Sequence, residues 1–315
     1  MMTRRQAQAY FLPAQGLGEV DTSESREALA AYSQAVRLRP DYAEAYNNRG
    51  NVNSNLGQFE EAVADYDRAI HLRPDLADAY VNRANAKAAL NQYQDALTDL
   101  GSAISFNQGN VLAFLNRGLL LAGIGRFEDA ISDLDEAANL EPEYERVYLV
   151  RGSVKAAHSR NQEAIADFDM AIGLNPDSSE AYNSRGLVNA ELRRYEAAVA
   201  DYASAIRLRP EYAAAYNNRG VALAKLGRLG AAVSDYDESV RLQPESAEPY
   251  YNRGNAKERR GEYEEAVADY DQVILRRPND IEAYRNRAVV KGVLGRTEEA
   301  RSDIDRALEI AAGAR

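Results

Sequence analysis

Six asparagines recur at one fixed spacing: Asn48, Asn82, Asn116, Asn218, Asn252 and Asn286, with Val150 and Ser184 in the two intervening places. A primary amide offers both a donor and an acceptor, which matches the C=O and N–H of an extended polypeptide. Asparagine is a mediocre helix former, so its recurrence inside a helical pattern needs another cause. Two uses fit. The row holds the backbone of an extended chain with little regard to its sequence, or the amides bond neighbouring helices to one another and to water. Asn47, Asn183 and Asn217 stand beside the row, and Asn51, Asn85 and Asn255 lie one turn on. In the middle of the chain the same surface turns apolar, at Leu112, Leu115, Leu119, Leu149, Val150 and Leu187. An exposed cluster of that kind marks a binding surface, unless the next helix covers it. Glu44, Asp78, Glu180, Glu248 and Glu282 give acidic margins. The matching partner would carry an apolar anchor and positive charge.

Next to the asparagine column is an arginine in every copy of the pattern: Arg49, Arg83, Arg117, Arg151, Arg185, Arg219, Arg253 and Arg287. Sixteen residues after each comes an aspartate: Asp65, Asp99, Asp133, Asp167, Asp201, Asp235, Asp269 and Asp303. The planar guanidinium can meet a carboxylate with two hydrogen bonds, so the two columns are expected to pair between packed helices, within a copy or across to the next. The functional alternative is a row of arginines that takes an acidic ligand.

The elements that position these residues follow from a strict 34-residue period without insertion or deletion. Copies span 43–76, 77–110, 111–144, 145–178, 179–212, 213–246, 247–280 and 281–314. Pro40, Pro74, Pro142, Pro176, Pro210, Pro244 and Pro278 keep the register, with Gln108 as the one absence. Each copy predicts two helices, about 43–56 and 60–72, broken at Gly57 and ended by Pro74. The column of Ala62 is alanine in all eight copies, and that of Gly50 is Gly or Ala. Small residues there let the two helices approach closely, with Tyr46 and Phe59 filling the space beside them. Fifteen of the 20 tyrosines fall in the columns of Tyr46, Phe59 and Tyr66, which marks them as core. Residues 24–42 match the second half of a copy only, and 1–23 are irregular. There Pro13, Gly16 and Gly18 oppose a helix, while Tyr10, Phe11, Leu12 and Leu17 are expected to cover the unpaired face of the half copy.

These columns resemble the tetratricopeptide repeat (TPR) family, whose pattern runs aromatic, Leu-Gly, Tyr, Ala, aromatic, Pro. Here it reads Tyr46, Gly50, Ala62, Tyr66 and Pro74, over residues 24–314. Two columns depart: the family's Leu is Arg49, and its Tyr is Asn53. The resemblance implies an all-α, right-handed superhelical solenoid of helix-turn-helix repeats. Its first helices would line a concave groove that holds an extended peptide. On that reading the peptide-binding residues are Asn48, Asn82, Asn116, Asn218, Asn252, Asn286, Asn47, Asn183, Asn217, Leu115, Leu119 and Leu149. The lysine clamp that some relatives use for chaperone tails has no counterpart, since the Asn47 column holds no Lys.

Composition narrows the rest. The net charge of −11 disfavours nucleic acid and anionic membrane as partners. With no cysteine there is no disulfide framework and no thiolate metal site. The longest apolar run, 118–125, is too short to cross a bilayer, and the N-terminus lacks the apolar core of a signal peptide. The two histidines, His71 and His158, form no catalytic or metal-binding motif; His158 is expected to be packed. In copy eight, Arg301 replaces an apolar column and Thr297 an aromatic one, as in a terminal cap. The expectation is a cytoplasmic, non-catalytic protein–protein interaction scaffold without cofactor or metal, a monomer or weak homo-oligomer. The alternative is a self-assembling structural or assembly-factor subunit that docks through its ends or convex face.

Overall fold

The computed structural model describes residues 22–313, where it holds seventeen α-helices and no strand. α1 is Thr22–Leu38; the others come in pairs, one pair per repeat. Repeat 1 is α2 (Ala43–Asn55) and α3 (Phe59–Leu72), repeat 2 is α4 (Ala77–Ala89) and α5 (Tyr93–Phe106), and repeat 3 is α6 (Val111–Gly123) and α7 (Phe127–Leu140). Repeat 4 is α8 (Glu145–Ala157) and α9 (Asn161–Leu174), repeat 5 is α10 (Ser179–Glu191) and α11 (Tyr195–Leu208), and repeat 6 is α12 (Ala213–Lys225) and α13 (Leu229–Leu242). Repeat 7 is α14 (Ala247–Arg260) and α15 (Tyr263–Arg276), and repeat 8 is α16 (Ile281–Val293) and α17 (Thr297–Gly313).

The turn inside each repeat is the same helix stop used eight times. The residue after the first helix's cap, or in repeat 7 the cap Gly261 itself, adopts a left-handed conformation, and the next N–H reaches back to the last turn. Gln58 N–H donates to the Asn53 carbonyl at 2.9 Å, and Arg126 to Leu121 at 2.8 Å. This motif favours glycine, which has no Cβ to clash in that conformation. Five repeats use it: Gly57, Gly125, Gly227, Gly261 and Gly295. Asn91, Ser159 and Arg193 hold the same geometry, with φ of 62°, 61° and 58°.

Within a repeat the two helices close on a small-residue column. A Cβ on Gly50 would lie 2.6 Å from Cε1 of Tyr66, and one on Gly220 would lie 2.6 Å from that of Tyr236. The ring that fills the gap is therefore the Tyr66 column, whereas Tyr46 and Phe59, expected there, are only half-buried. Gly118 faces a leucine, Leu134. The two repeats with alanine in place of glycine, Ala84 and Ala288, carry aliphatic Leu100 and Ile304 in the ring column.

The described residues form two compact units, divided between Met170 and Ala171 within α9. In the first, each helix from α1 to α8 packs on the next, and α2, α4, α6 and α8 also touch in succession. In the second, α10 to α17 repeat the arrangement, with α10, α12, α14 and α16 in succession. Repeat 8 is less cap-like than its sequence reads. Arg301 is exposed, but so are Ile304 (49%) and Leu308 (59%), while Tyr270 in the Ile304 column is fully buried. The apolar residues of the N-terminal segment lie outside the described residues.

Candidate functional site

The arginine and aspartate columns pair in all eight repeats, each Arg meeting the Asp of its own repeat. Nε and Nη2 donate to the two carboxylate oxygens, and the shortest contacts are 2.5–2.7 Å. Each guanidinium also lies 5.3–5.7 Å from the ring of the aromatic three residues before it, as Arg49 does over Tyr46. The aspartates are buried. The hydrogen bond to Asp65 holds the Arg49 guanidinium above its ordinary value. For Arg83 burial alone would lower it, and the bonds to Asp99 and Asp67 more than offset that. A row of eight unpaired arginines is not what the geometry provides, because each guanidinium already holds the aspartate of its own repeat through Nε and Nη2.

A third partner escaped the sequence reading. Lys87, Lys155, Lys257 and Lys291, four residues after the Arg, bring Nζ to 2.8–3.0 Å from the same aspartates. Asn53 and Asn189 donate from the same column at 2.9 Å, and Leu121 and Leu223 occupy it in repeats 3 and 6. In the four lysine repeats the Arg also reaches the preceding repeat: Arg83 to Asp67, Arg151 to Asp135, Arg253 to Asp237 and Arg287 to Asp271. Two cations thus meet two carboxylates. In repeats 3 and 6 the lysine has become leucine, and Gly101 and Ala203 stand where the second aspartate would be. In these two repeats both charges are lost together, as expected where an unpaired charge is costly to bury, whereas repeat 5 has Asn189 in the lysine column and keeps Asp169. Part of the signal was present in the sequence as the joint change in repeats 3 and 6.

The asparagine row lies on the other flank of the first helices. Asn82 donates to Asn47 at 3.1 Å, and Asn116 to Asn85 at 3.1 Å. In the second unit Asn218 donates to Asn183 at 3.2 Å, Asn252 to Asn217 at 3.0 Å, and Asn286 to Asn255 and to the Tyr251 hydroxyl at 3.1 Å. Asn48 sits beside Asn47 at 3.5 Å. Asn82, Asn116, Asn218 and Asn252 therefore each spend one N–H on the preceding repeat, Asn286 makes two such contacts, and Asn48 accepts from Asn47 of its own repeat. Asn183 and Asn217 are buried acceptors within the ladder, and Asn217 itself donates to Glu248 at 3.2 Å. The Asn51 and Asn255 amides also accept the Tyr66 and Tyr270 hydroxyls at 2.8 Å. Burial pushes both phenols above their ordinary value, and those of Tyr202 and Tyr236 likewise.

The apolar centre is smaller than its sequence suggests. Leu115 (0%), Leu149 (8%) and Val150 (3%) are buried, because consecutive first helices close over that column. Leu119 is half-buried, and Leu112 and Leu187 are exposed. Of the margin acids, Glu44 pairs with Arg73 at 2.6 Å and Glu180 with Arg209 at 3.2 Å. His158, expected to be packed, is exposed; it stacks on Phe127 and brings Nε2 to 3.1 Å from Glu128. Among the described residues no group of three His, Cys, Asp or Glu is arranged to hold a metal ion. No helix there is long and apolar enough to cross a membrane.

Family models agree with this architecture. Two described as tetratricopeptide repeat match residues 43–76 and 247–280, and residues 75–145 and 149–208. A third, described as TPR repeat, matches 20–57, 190–227 and 222–260. The chain belongs to the tetratricopeptide repeat family, an all-α solenoid class of protein-interaction scaffolds. Among solved structures it is similar to the APC/C hetero-tetramer Cut9–Hcn1, at 17% identity and a TM-score of 0.61, over 91% of this chain and 59% of that one. It is also similar to a tetratricopeptide repeat protein from Parabacteroides merdae, at 20% identity and a TM-score of 0.60, over 79% and 98% of the two chains. MamA from Desulfovibrio magneticus matches at 21% identity and a TM-score of 0.50, over 54% and 96%. At these identities the likeness is one of fold. No curated protein sequence matches the chain.

Proposed function

We propose that this protein is a non-catalytic scaffold in which an asparagine row holds an extended segment of a partner protein. One observation carries the reading. Asn82, Asn116, Asn218, Asn252 and Asn286 each donate to the repeat before, yet among the described residues their own Oδ1 accepts no hydrogen bond. Each amide is thus locked in one orientation with its carbonyl to spare, and Asn82, Asn116, Asn218 and Asn252 also keep a second N–H, a preorganised match for a peptide unit. Leu112 and Leu119 in the first unit, and Leu187 in the second, offer apolar contact for an anchoring side chain. A displayed library of random peptides, panned on the native protein, tests this. Enriched peptides should bind at least tenfold more weakly to the Asn82→Ala, Asn116→Ala, Asn218→Ala variant, with equal helicity by circular dichroism. Equal affinity for both proteins would move the site elsewhere and leave the ladder a packing device.

Self-assembly is the second reading, favoured by the exposed Ile304 and Leu308 of α17 together with Val289 and Val293 of α16, both 58% exposed. Static light scattering separates the two: a mass that rises with concentration and is lost in Leu308→Glu supports assembly.

A further inference from the structure

In repeats 2, 4, 7 and 8 the Arg of the ion-pair column uses its remaining nitrogen, Nη1, on a carboxylate from the second helix of the repeat before, at 2.5–2.7 Å. Those carboxylates are half in solvent, with exposures of 51–56%. Repeat 3 has the same guanidinium without that partner. Arg117 binds Asp133 through Nε and Nη2 at 2.7 Å, and among the described residues Nη1 has no acceptor. The partner's place belongs to Gly101, whose Cβ, if it had one, would stand 3.9 Å from that Nη1. The Arg117 side chain is accordingly 27% exposed, against 15–16% where the slot is filled. Over it lies a pocket of about 420 Å³ between α5 and α7.

We propose that this pocket is a binding site for a carboxylate on an aliphatic stem, which takes the place on Arg117 that an internal aspartate takes in four other repeats. The floor is Leu97 and Leu121, both nearly buried, which suits methylene groups. Ser132 supplies a hydroxyl on the rim, while that of Thr98 donates to the Gln94 carbonyl at 3.1 Å. The two acids in the lining already have cations: Asp133 holds Arg117 itself, and Asp129 pairs with Arg126 at 2.6 Å. Arg126 is a second guanidinium on the same wall, and its exposed pair with Asp129 is weak enough to be shared. The carboxylate comes either from an acidic side chain of a partner protein or from a small free aliphatic acid. Arg117 and Asn116 leave α6 on different flanks, so this site is separate from the asparagine row and can be filled alongside it.

Nuclear magnetic resonance of arginine-labelled protein tests the proposal, following the guanidinium N–H signals of Arg117 and Arg83 in one sample. Butyrate is titrated in one arm and a capped glutamate tripeptide in the other, each against chloride at matched ionic strength. A saturable movement of Arg117, with Arg83 unmoved, is the expected result; butyrate alone would indicate a free acid, and the tripeptide alone a protein side chain. In Gly101→Asp, which supplies the missing carboxylate from within, the movement should vanish. No saturable movement with either probe, or movement of Arg83 equal to that of Arg117, overturns the proposal. So does a response retained in folded Gly101→Asp. If that variant does not fold, the comparison of Arg117 with Arg83 decides alone.

Discussion

Arg193 carries a backbone cost that its repeat neighbours avoid. It holds φ at 58° where five repeats use glycine, and its side chain is exposed. A left-handed conformation costs a residue with a Cβ about 1–2 kcal/mol, part of which glycine's greater freedom in the unfolded chain offsets. Arg193→Gly should therefore raise stability by about 0.5–1 kcal/mol, read as a higher urea midpoint with an unchanged slope. A lower midpoint would mean that the arginine side chain has a role beyond its backbone. The ion-pair column points the other way. Asp167 is 4% exposed and takes both Arg151 and Lys155, so Asp167→Ala removes the buried carboxylate from two cations and leaves Arg151 only the half-exposed Asp135. The loss should be about 3–5 kcal/mol, measured by chemical unfolding. An unchanged midpoint would show the network to be solvated. The Arg–Asp pairing was readable in the sequence because both columns are complete. The lysines were not, because their column alternates between Lys, Asn and Leu and makes sense only beside the aspartate column of the preceding repeat.

Helix pairs are the elements, and the ring-against-glycine contact sets how closely they approach. The sequence carries this as a covariation: glycine opposite Tyr or Phe in five repeats and opposite Leu134 in a sixth, alanine opposite Leu100 or Ile304. Gly220→Ala should destabilise the protein by about 1–3 kcal/mol, since the new methyl would sit 2.6 Å from the Tyr236 ring. Adding Tyr236→Leu in the same chain, which copies the Ala84 and Leu100 pairing, should recover part of that loss. A double-mutant cycle checks it, and strict additivity of the two changes would refute the contact. Helices and turns could be read from period, glycine and proline because those signals are local. Which faces are covered could not. Leu115 and Leu149 read as groove residues along one helix, but they are buried where α6 and α8 pack against each other. For the same reason the sequence could not say that the asparagines bond to one another.

For the molecule as a whole, the repeated tyrosine core ties stability to alkaline pH. Tyr66, Tyr202, Tyr236 and Tyr270 are nearly fully buried, and burial is the main cause that raises each phenol above its ordinary value. A nearby Asp65, Asp201, Asp235 or Glu258 carboxylate adds to the shift. Below about pH 10 these groups are neutral in both the folded and unfolded chain and leave stability unchanged. Above it the unfolded chain releases their protons and the folded one keeps them, so the unfolded state binds fewer protons and stability falls as pH rises. The slope approaches about 1.4 kcal/mol per pH unit for each such tyrosine. One of the four lies in residues 1–170 and three in 171–315, so the loss should be steeper in the second unit. Hydrogen exchange read by mass spectrometry at about pH 9 and again at about pH 11 should show protection falling first in α11, α13 and α15. Phenolate absorbance should rise in two stages, exposed tyrosines first and the buried four only as helicity is lost. If all tyrosines ionise together while the helices remain intact, the rings are accessible to hydroxide and the repeat core is looser than its packing indicates.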